Sequence, residues 1–192
     1  CEPYLTSDYR RMLEEPEKLI DGMRVILKLF EHAHGIIAVE DNKIDCALGI
    51  EKLLKGDKNL EVKVLKTKYP QGSERQLIYA VTGRAIHSGM LPADAGCIVH
   101  NTDTVCAIGQ AVLTETPLTS RIVTVTGDAV KNPCNLLVPL GTSHLDLIDA
   151  AGGFRQEPMK LISGGPMMGI PLFDADVPVI KTSSALLCMT QD

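Results

Sequence analysis

A short apolar strand at residues 62–65 runs into a Pro-Gly loop, and that loop opens a helix with Ser73 and Glu74 in its first turn. Strand–loop–helix units of this kind build sheets whose parallel strands are covered by helices. The unpaired N–H groups and positive dipole end of such a helix attract phosphate or carboxylate groups. Many turns of this shape only reverse the chain. The pattern therefore predicts an α/β fold that carries a candidate anion site.

The same alternation of strands and helices extends through the first 112 residues. From Glu17 on, apolar residues recur with a period of about 3.6, which predicts an amphipathic helix ending near Gly35. Three strands follow, each leading into a helix: strand 36–39 and helix 41–55, strand 60–65 and a helix ending at 81, strand 96–101 and a helix ending at 112. This order is typical of a mainly parallel sheet with helices on its faces.

Beyond Pro117 the pattern changes. Strands are predicted at 121–127, 136–140 and 160–163, with one helix at 145–151 between the second and third strands. Two strands, a helix and another strand in about 50 residues indicate a small β-grasp module. Its surface is suited to a ligand or a partner, or the module serves only as a spacer.

Composition and charge exclude several classes of protein. The net charge is −5 and no long basic run occurs, which argues against nucleic acid as a partner. A run of about 18 apolar residues is also missing, so nothing in this sequence predicts a membrane span. The six cysteines are scattered without a CxxC pair. We therefore expect reduced, mostly buried thiols rather than a disulfide scaffold or an iron–sulfur site.

Candidate binding residues follow from the predicted sheet, because parallel α/β sheets bind ligands beyond the carboxyl ends of their strands. One such end carries Gly72, Ser73 and Glu74, and another carries residues 100–102, which are His100, Asn101 and Thr102. Neither a GxGxxG fingerprint nor a P-loop is present. The histidines form no metal set, and no nucleophile–base order stands out. The glycine-rich loop at 164–169 is predicted as a tight turn or, alternatively, the edge of a cofactor site.

Five stretches resemble RnfC, a subunit of the membrane-bound Rnf electron-transport complex; they lie at residues 1–8, 40–43, 66–84, 123–133 and 164–169. More distantly, the chain is similar to the flavoprotein subunit of respiratory complex I, which carries FMN and accepts hydride from NADH. The resemblance implies a three-layer αβα FMN-binding domain with a mainly parallel sheet at 1–116. It then implies a β-grasp soluble-ligand-binding domain at 117–170 and a return segment at 171–192.

The resemblance also implies roles for individual residues. A Gly-Glu-Glu segment that lines the flavin and nicotinamide site in complex I relatives aligns with residues 72–74, so that Ser73 replaces one carboxylate. An Asn-Asn segment near the flavin phosphate aligns with His100 and Asn101. A Glu-Pro pair beside the nicotinamide aligns with Glu2 and its neighbour. These alignments imply that residues 72–74 and 100–102 bind FMN, and that Glu2 and Glu74 bind NADH.

On this resemblance, the expected function is electron transfer between NADH, FMN and two [4Fe–4S] clusters in an ion-translocating NADH:ferredoxin oxidoreductase. The expected partners are NADH, ferredoxin and other Rnf subunits, with the membrane contacted only through those subunits at its cytoplasmic face. Alternatives are a soluble flavoprotein reductase similar to cobalamin reductase, or a docking scaffold without a cofactor.

We interpret the chain as a piece of a longer protein. The family's glycine-rich flavin-phosphate loop and its cluster-ligating cysteines are not found in these 192 residues. The piece alone is therefore expected to bind no cofactor and to be inactive.

Overall fold

A computed structural model describes residues 2–191, which form two compact units. The first unit comprises Asp8–Pro117, and the second comprises Glu2–Ser7 together with the residues from Leu118 onward. Each unit has its own cluster of buried apolar side chains, as a separately folded unit requires. Cys1, part of the first stretch that resembles RnfC and one of the six thiols expected to be reduced, lies outside the described residues, as does Asp192.

The first unit is built from helices and a parallel strand pair. Along the chain its elements are α1 (Ser7–Glu14), α2 (Pro16–Leu27), β1 (Gly35–Glu40), α3 (Ile44–Leu53), β2 (Leu60–Leu65), α4 (Glu74–Thr82) and α5 (Thr102–Leu113), with 3₁₀ turns at Asp41–Lys43 and Pro92–Ala95. Helix α2 ends well before Gly35, the predicted end of the amphipathic helix.

Helix α2 follows the periodicity read from the sequence. Pro16 stands in its first turn, where the missing N–H of proline costs no helical hydrogen bond. Its buried face includes Leu19 and Ile20. Farther along, Gly22 packs directly against Gly109 of α5, because a Cβ on Gly109 would lie 2.8 Å from the Gly22 Cα. The absence of side chains at these two positions lets the two helices approach closely.

Strands β1 and β2 pair in parallel, in a register that runs from Gly35 opposite Leu60 to Glu40 opposite Leu65. Helix α3 connects them as a crossover, the connection that a parallel pair requires. Ile37 and Val39 of β1 are buried with Ile50 of α3 in the core of the unit. The carboxyl ends of both strands therefore lie side by side, as the predicted parallel sheet requires.

The strand predicted at 96–101 does not form. Gly96 instead ends the 3₁₀ turn with a left-handed backbone, and the N–H of Cys97 donates to the carbonyl of Pro92. Residues 97–100 are assigned neither to a helix nor to a strand. No described strand pairs with them, and Ile98 is 58% exposed. An apolar run becomes a strand only where a neighbouring strand accepts its hydrogen bonds.

The second unit is a five-stranded mixed sheet with one helix. Its elements are β3 (Ser120–Thr126), β4 (Cys134–Pro139), α6 (His144–Ala150), β5 (Lys160–Ser163), β6 (Ile170–Leu172) and β7 (Ala185–Met189). The strand order is β4-β3-β7-β5-β6, with β3 and β7 parallel and every other pair antiparallel. The central strand β7 is buried along nearly its whole length, although the sequence analysis predicted no strand there.

The predicted fold class, an α/β arrangement with a parallel sheet followed by a small β-grasp module, is confirmed. Strand β7 lies between β3 and β5 and completes the sheet of this module. Residues of β7 and α6 belong to the same buried cluster. Across the part of the chain that the structure describes, no helix has the length and apolar character needed to cross a membrane.

Candidate functional site

The start of α4 carries the first group of predicted site residues. Ser73 is the residue that precedes the helix, and its hydroxyl makes no capping hydrogen bond within the described residues. Its own N–H donates to the carbonyl of Pro70 at 2.8 Å, which closes the turn. Gly72, Ser73 and Glu74 are all exposed. The first N–H groups of α4 therefore lack a side-chain cap, which leaves them suited to an anionic ligand.

The start of α5 carries the second group. Asn101 caps this helix, because its Oδ1 accepts a hydrogen bond from the N–H of Asp103 at 2.9 Å. Its Nδ2 donates to the carboxylate of Asp8 in α1 at 2.8 Å. The amide retains one further N–H and one further lone pair. His100 is exposed and Thr102 is half-buried, so this group offers polar atoms at the surface.

Helix α1 anchors the start of α5 through a second contact, which was not predicted from the sequence. Arg11 binds the buried carboxylate of Asp103 through Nε at 3.2 Å and Nη2 at 3.0 Å, and it also pairs with Glu15. Burial alone would lower the pKa of Arg11, but its hydrogen bonds to Glu15 and Asp103 raise that pKa above the usual value. No short sequence motif signals this contact, because 92 residues separate Arg11 from Asp103.

The carboxyl ends of β1 and β2 are joined by a side chain. Asp41 follows β1 and accepts hydrogen bonds from the N–H and the hydroxyl of Thr67, which follows β2, at 3.0 and 2.6 Å. These hydrogen bonds lower the pKa of the Asp41 carboxyl. The contact fixes the beginning of the loop that leads to Gly72.

Two further carboxylates are held in the same way, which predicts loss of stability in acid. The Tyr9 hydroxyl lowers the pKa of Asp45, and Thr190 lowers that of Asp128. A carboxylate whose folded-state pKa is depressed stabilises the fold above its unfolded pKa, about 4 for Asp. That stabilisation is lost as the pH falls through the folded-state value. We expect the denaturant concentration at the unfolding midpoint to decrease once the pH is lowered below about 4, and to decrease less steeply in Asp128→Asn than in the wild type. Identical pH profiles for the two proteins would contradict this.

A cavity of about 720 Å³ lies in the first unit between α2, α4, β1 and residues 96–102. Most of its lining is apolar, and His100 and Thr102 lie at its wall together with residues from the second half of α4. The first four residues of β1 also line it, whereas Gly72, Ser73 and Glu74 do not. The cavity therefore lies beside the first four residues of β1 and not at the carboxyl ends of the strands, where ligands of parallel sheets bind.

Glu2, the remaining predicted site residue, belongs to the second unit. The N–H of Met167 donates to Glu2 Oε2 at 3.2 Å. Met167 lies in the glycine-rich loop at 164–169, so the structure brings Glu2 and this loop into contact. No signal in the sequence links them, because they are 165 positions apart.

The cysteines show no sign of a metal or cluster site within residues 2–191. No group of three or more potential metal ligands occurs there, and the five described cysteines are free. Burial raises the pKa of Cys46 and Cys106 to about 11 and that of Cys188 to about 12. These thiols are therefore protonated at neutral pH, as the prediction of reduced, mostly buried cysteines expects.

Two known protein families match this chain. Residues 1–110 match the family model of the Nuo51 FMN-binding domain. The chain belongs to this family. Residues 122–171 match the model of the SLBB domain. The two matches fall in the α/β part of the chain and in the β-grasp part, respectively.

The curated relatives confirm the resemblance to RnfC. The chain is 47% identical over its full length to the C subunit of the Na+-translocating ferredoxin:NAD+ oxidoreductase complex of Acetobacterium woodii, and spans 43% of that relative. It is 46% identical over its full length to the proton-translocating counterpart of Clostridium ljungdahlii, of which it spans 42%. A third relative is the C subunit of the ion-translocating oxidoreductase complex of Yersinia pestis. The identity is 37%, and the alignment covers 97% of this chain and 30% of that relative.

Solved structures support the fold. A chain of an NAD+-reducing [NiFe]-hydrogenase in the air-oxidized state aligns with a TM-score of 0.77 over 97% of this chain and 38% of that chain. The same hydrogenase in the H2-reduced state gives a TM-score of 0.78. The sequence identity is 18% in both alignments, so the likeness concerns the fold alone.

Proposed function

We propose that this chain is part of the C subunit of an ion-translocating ferredoxin:NAD+ oxidoreductase complex, which transfers electrons between NADH, FMN and two [4Fe–4S] clusters. The observation that carries this proposal is the full-length match to two subunits of that name at 46–47% identity. The chain spans less than half of each relative. The clusters and the complete activity therefore belong to the longer protein.

The residues at the start of α4 fit an oxygen of FMN. The helix presents N–H groups that Ser73 does not cap, and unpaired N–H groups at a helix start attract electron-rich oxygen atoms. Asn101 is fixed by Asp8 and still has one N–H free for a flavin oxygen. His100 and Thr102 add polar atoms next to it. When bound, FMN supplies the conversion between two-electron and one-electron transfer, whereas the protein supplies binding and orientation.

Glu74 and Glu2 are proposed to bind NADH. Each carboxylate accepts hydrogen bonds, and the ribose hydroxyls and the carboxamide of the nicotinamide nucleotide supply the donors. Glu74 is exposed in the first turn of α4. Charge-assisted hydrogen bonds of this kind contribute about 1.5–3 kcal/mol each.

Ferredoxin and the other subunits of the complex are proposed as protein partners. The longer protein is proposed to lie at the cytoplasmic face of the membrane and to contact the lipid only through those subunits. The edge strand β6 and the residues around it expose Met168, Ile170 and Phe173. Exposed apolar side chains along a sheet edge are suited to another subunit.

The experiment that tests this function uses the full natural protein that contains this chain, together with its Glu74→Gln variant. We expect about one released FMN per polypeptide in both proteins. NADH oxidation should be at least about tenfold slower in the variant, because a neutral amide accepts a weaker hydrogen bond than a carboxylate.

A colourless protein that also fails to take up added FMN would contradict the flavin assignment and favour the docking scaffold. Unchanged turnover in Glu74→Gln would remove this residue from the nucleotide site. A soluble reductase similar to cobalamin reductase would be flavin-loaded without a membrane complex, so co-purification with membrane subunits separates it from the first proposal.

A further inference from the structure

The segment Glu2–Ser7 is held firmly against the sheet of the second unit. The N–H groups of Thr6 and Ser7 both donate to the hydroxyl of Thr124 in β3, at 3.3 and 3.2 Å. That hydroxyl in turn donates to Oδ1 of Asn135 in β4 at 2.7 Å, and Thr124 is buried. The segment is therefore anchored at its end by a buried hydrogen-bond network.

Within this segment, Tyr4 has a φ of +71°. A bulky residue in the left-handed region costs on the order of 1–3 kcal/mol and persists only where neighbouring contacts impose it. The contacts on either side of Tyr4 are the Thr124 network and the hydrogen bond of Glu2. The backbone is therefore held in a form that directs Glu2 to one particular place.

That place is the loop between β5 and β6. The loop is closed by a hydrogen bond from the N–H of Gly169 to the carbonyl of Gly165 at 2.8 Å. The N–H of Met167 donates to Glu2 Oε2 at 3.2 Å. Among the described residues, no hydrogen bond involves Oε1 of Glu2, so this oxygen remains available to a ligand.

Gly165 is the residue that makes room for the carboxylate. A Cβ at this position would overlap Glu2 Oε2, and it would lie 2.5 Å from Glu2 Cδ and 3.1 Å from Leu5 Cδ1, so the carboxylate is the group it would displace most. The backbone of Gly165 is not in the left-handed region, so alanine fits its conformation without strain. The space that the Glu2 carboxylate occupies, rather than the shape of the turn, therefore requires glycine here.

We infer that Gly165 and the N–H of Met167 form a seat that holds the Glu2 carboxylate in position for the nicotinamide nucleotide. The inference rests on the proposed function, because it takes Glu2 as an NADH-binding residue. Gly165 acts through Glu2 and is a positioning residue. One carboxylate oxygen binds the loop, which orients the other oxygen toward the nucleotide.

A double-mutant cycle in the full natural protein tests this seat. The four proteins are the wild type, Gly165→Ala, Glu2→Ala and the double variant, and the probe is NADH. We expect Gly165→Ala to raise the Kd and KM for NADH about tenfold and to change kcat little. A tenfold loss of affinity corresponds to the loss of roughly one charge-assisted hydrogen bond. In the Glu2→Ala background the same substitution should have a much smaller effect on affinity, because the added methyl group then meets only the tip of the Leu5 side chain, 3.1 Å away.

A second measurement is independent of activity. Amide hydrogen exchange at Met167 should become faster in both single variants, because its N–H loses the carboxylate acceptor. Met168→Ala is the control for the loop, since its side chain is 76% exposed and its removal should change neither exchange nor affinity. If Gly165→Ala does not fold, Glu2→Asp tests the same contact, because the shorter side chain no longer reaches the loop.

The outcomes distinguish the inference from the function on which it rests. An equal loss of affinity in both backgrounds would overturn the inference, since the loop would then act without Glu2. Unchanged affinity in Gly165→Ala, together with weaker binding in Glu2→Ala, would also overturn it and leave the NADH role of Glu2 intact. If Glu2→Ala binds NADH normally, the proposed role of Glu2 fails, and the seat has no function in nucleotide binding.

Discussion

Gly22→Ala is expected to destabilise the first unit by about 3 kcal/mol, because its new methyl group has no space. A Cβ at Gly22 would overlap the carbonyl oxygen of Val105 and would lie 2.8 Å from the Val105 carbonyl carbon. Both atoms belong to the backbone of α5, so they can move only if the whole helix moves. Alanine is the better helix former by about 1 kcal/mol, which offsets a small part of this cost.

Gly49→Ala in α3 is the matched control. No described atom lies within 4 Å of a Cβ built on Gly49, so only the gain in helix propensity remains, and we expect about 0.5–1 kcal/mol of added stability. The free energy of unfolding of both variants is measured in denaturant. A Gly22→Ala variant as stable as the wild type would show that α2 and α5 do not cross at this point.

The periodicity of apolar residues predicted most of the secondary structure but not this crossing. The positions of Leu19 and Ile20 indicate which face of α2 is buried, because apolar side chains recur on one side of a helix. Gly22 and Gly109 carry no such signal. Their role depends on the distance between two helices, and 87 residues separate them in the sequence, so local patterns contain no information about it.

The errors in strand prediction have a related cause. Short apolar runs are compatible with a strand, a buried helix or an extended loop, and pairing with a neighbour decides among them. The run at 97–100 has no described partner, and it stays irregular. The run at Ala185–Met189 lies between β3 and β5 and becomes the central strand β7.

The candidate site was predictable only in part. The strand–loop–helix pattern predicted that residues 72–74 and 100–102 begin helices at the ends of parallel strands. Both groups do begin helices, but only residues 72–74 follow a described strand, because the strand predicted at 96–101 does not form. The contacts that orient these groups were not predictable. Asp8 and Arg11 reach α5 across more than 90 residues, and Glu2 reaches the loop at 164–169 across 165 residues.

Asp103→Ala is expected to destabilise the first unit by about 3 kcal/mol, because it leaves the Arg11 charge partly buried with a single carboxylate partner. The side chains of Arg11 and Asp103 are only 14% and 11% exposed. In such a setting, removal of one partner costs more than the pair itself contributes. The substitution also removes the contact that ties the start of α5 to Arg11 of α1, so this helix start should become less ordered, and binding of FMN to the full natural protein should weaken.

The ion pair between Arg10 and Glu14 on α1 provides the matched control. It joins an arginine to a carboxylate at 47% and 55% exposure, and Glu14→Ala should change the free energy of unfolding by no more than about 0.5 kcal/mol. Both pairs involve an arginine of α1, but the control pair is exposed and lies within one helix, whereas the Arg11–Asp103 pair is buried and joins two helices. The comparison therefore measures what burial and the contact between helices contribute together. If the two variants lost equal stability, or if Asp103→Ala lost less than about 1 kcal/mol, the Arg11–Asp103 pair would be a surface pair in solution. The anchor that α1 gives to the predicted flavin site would then be absent.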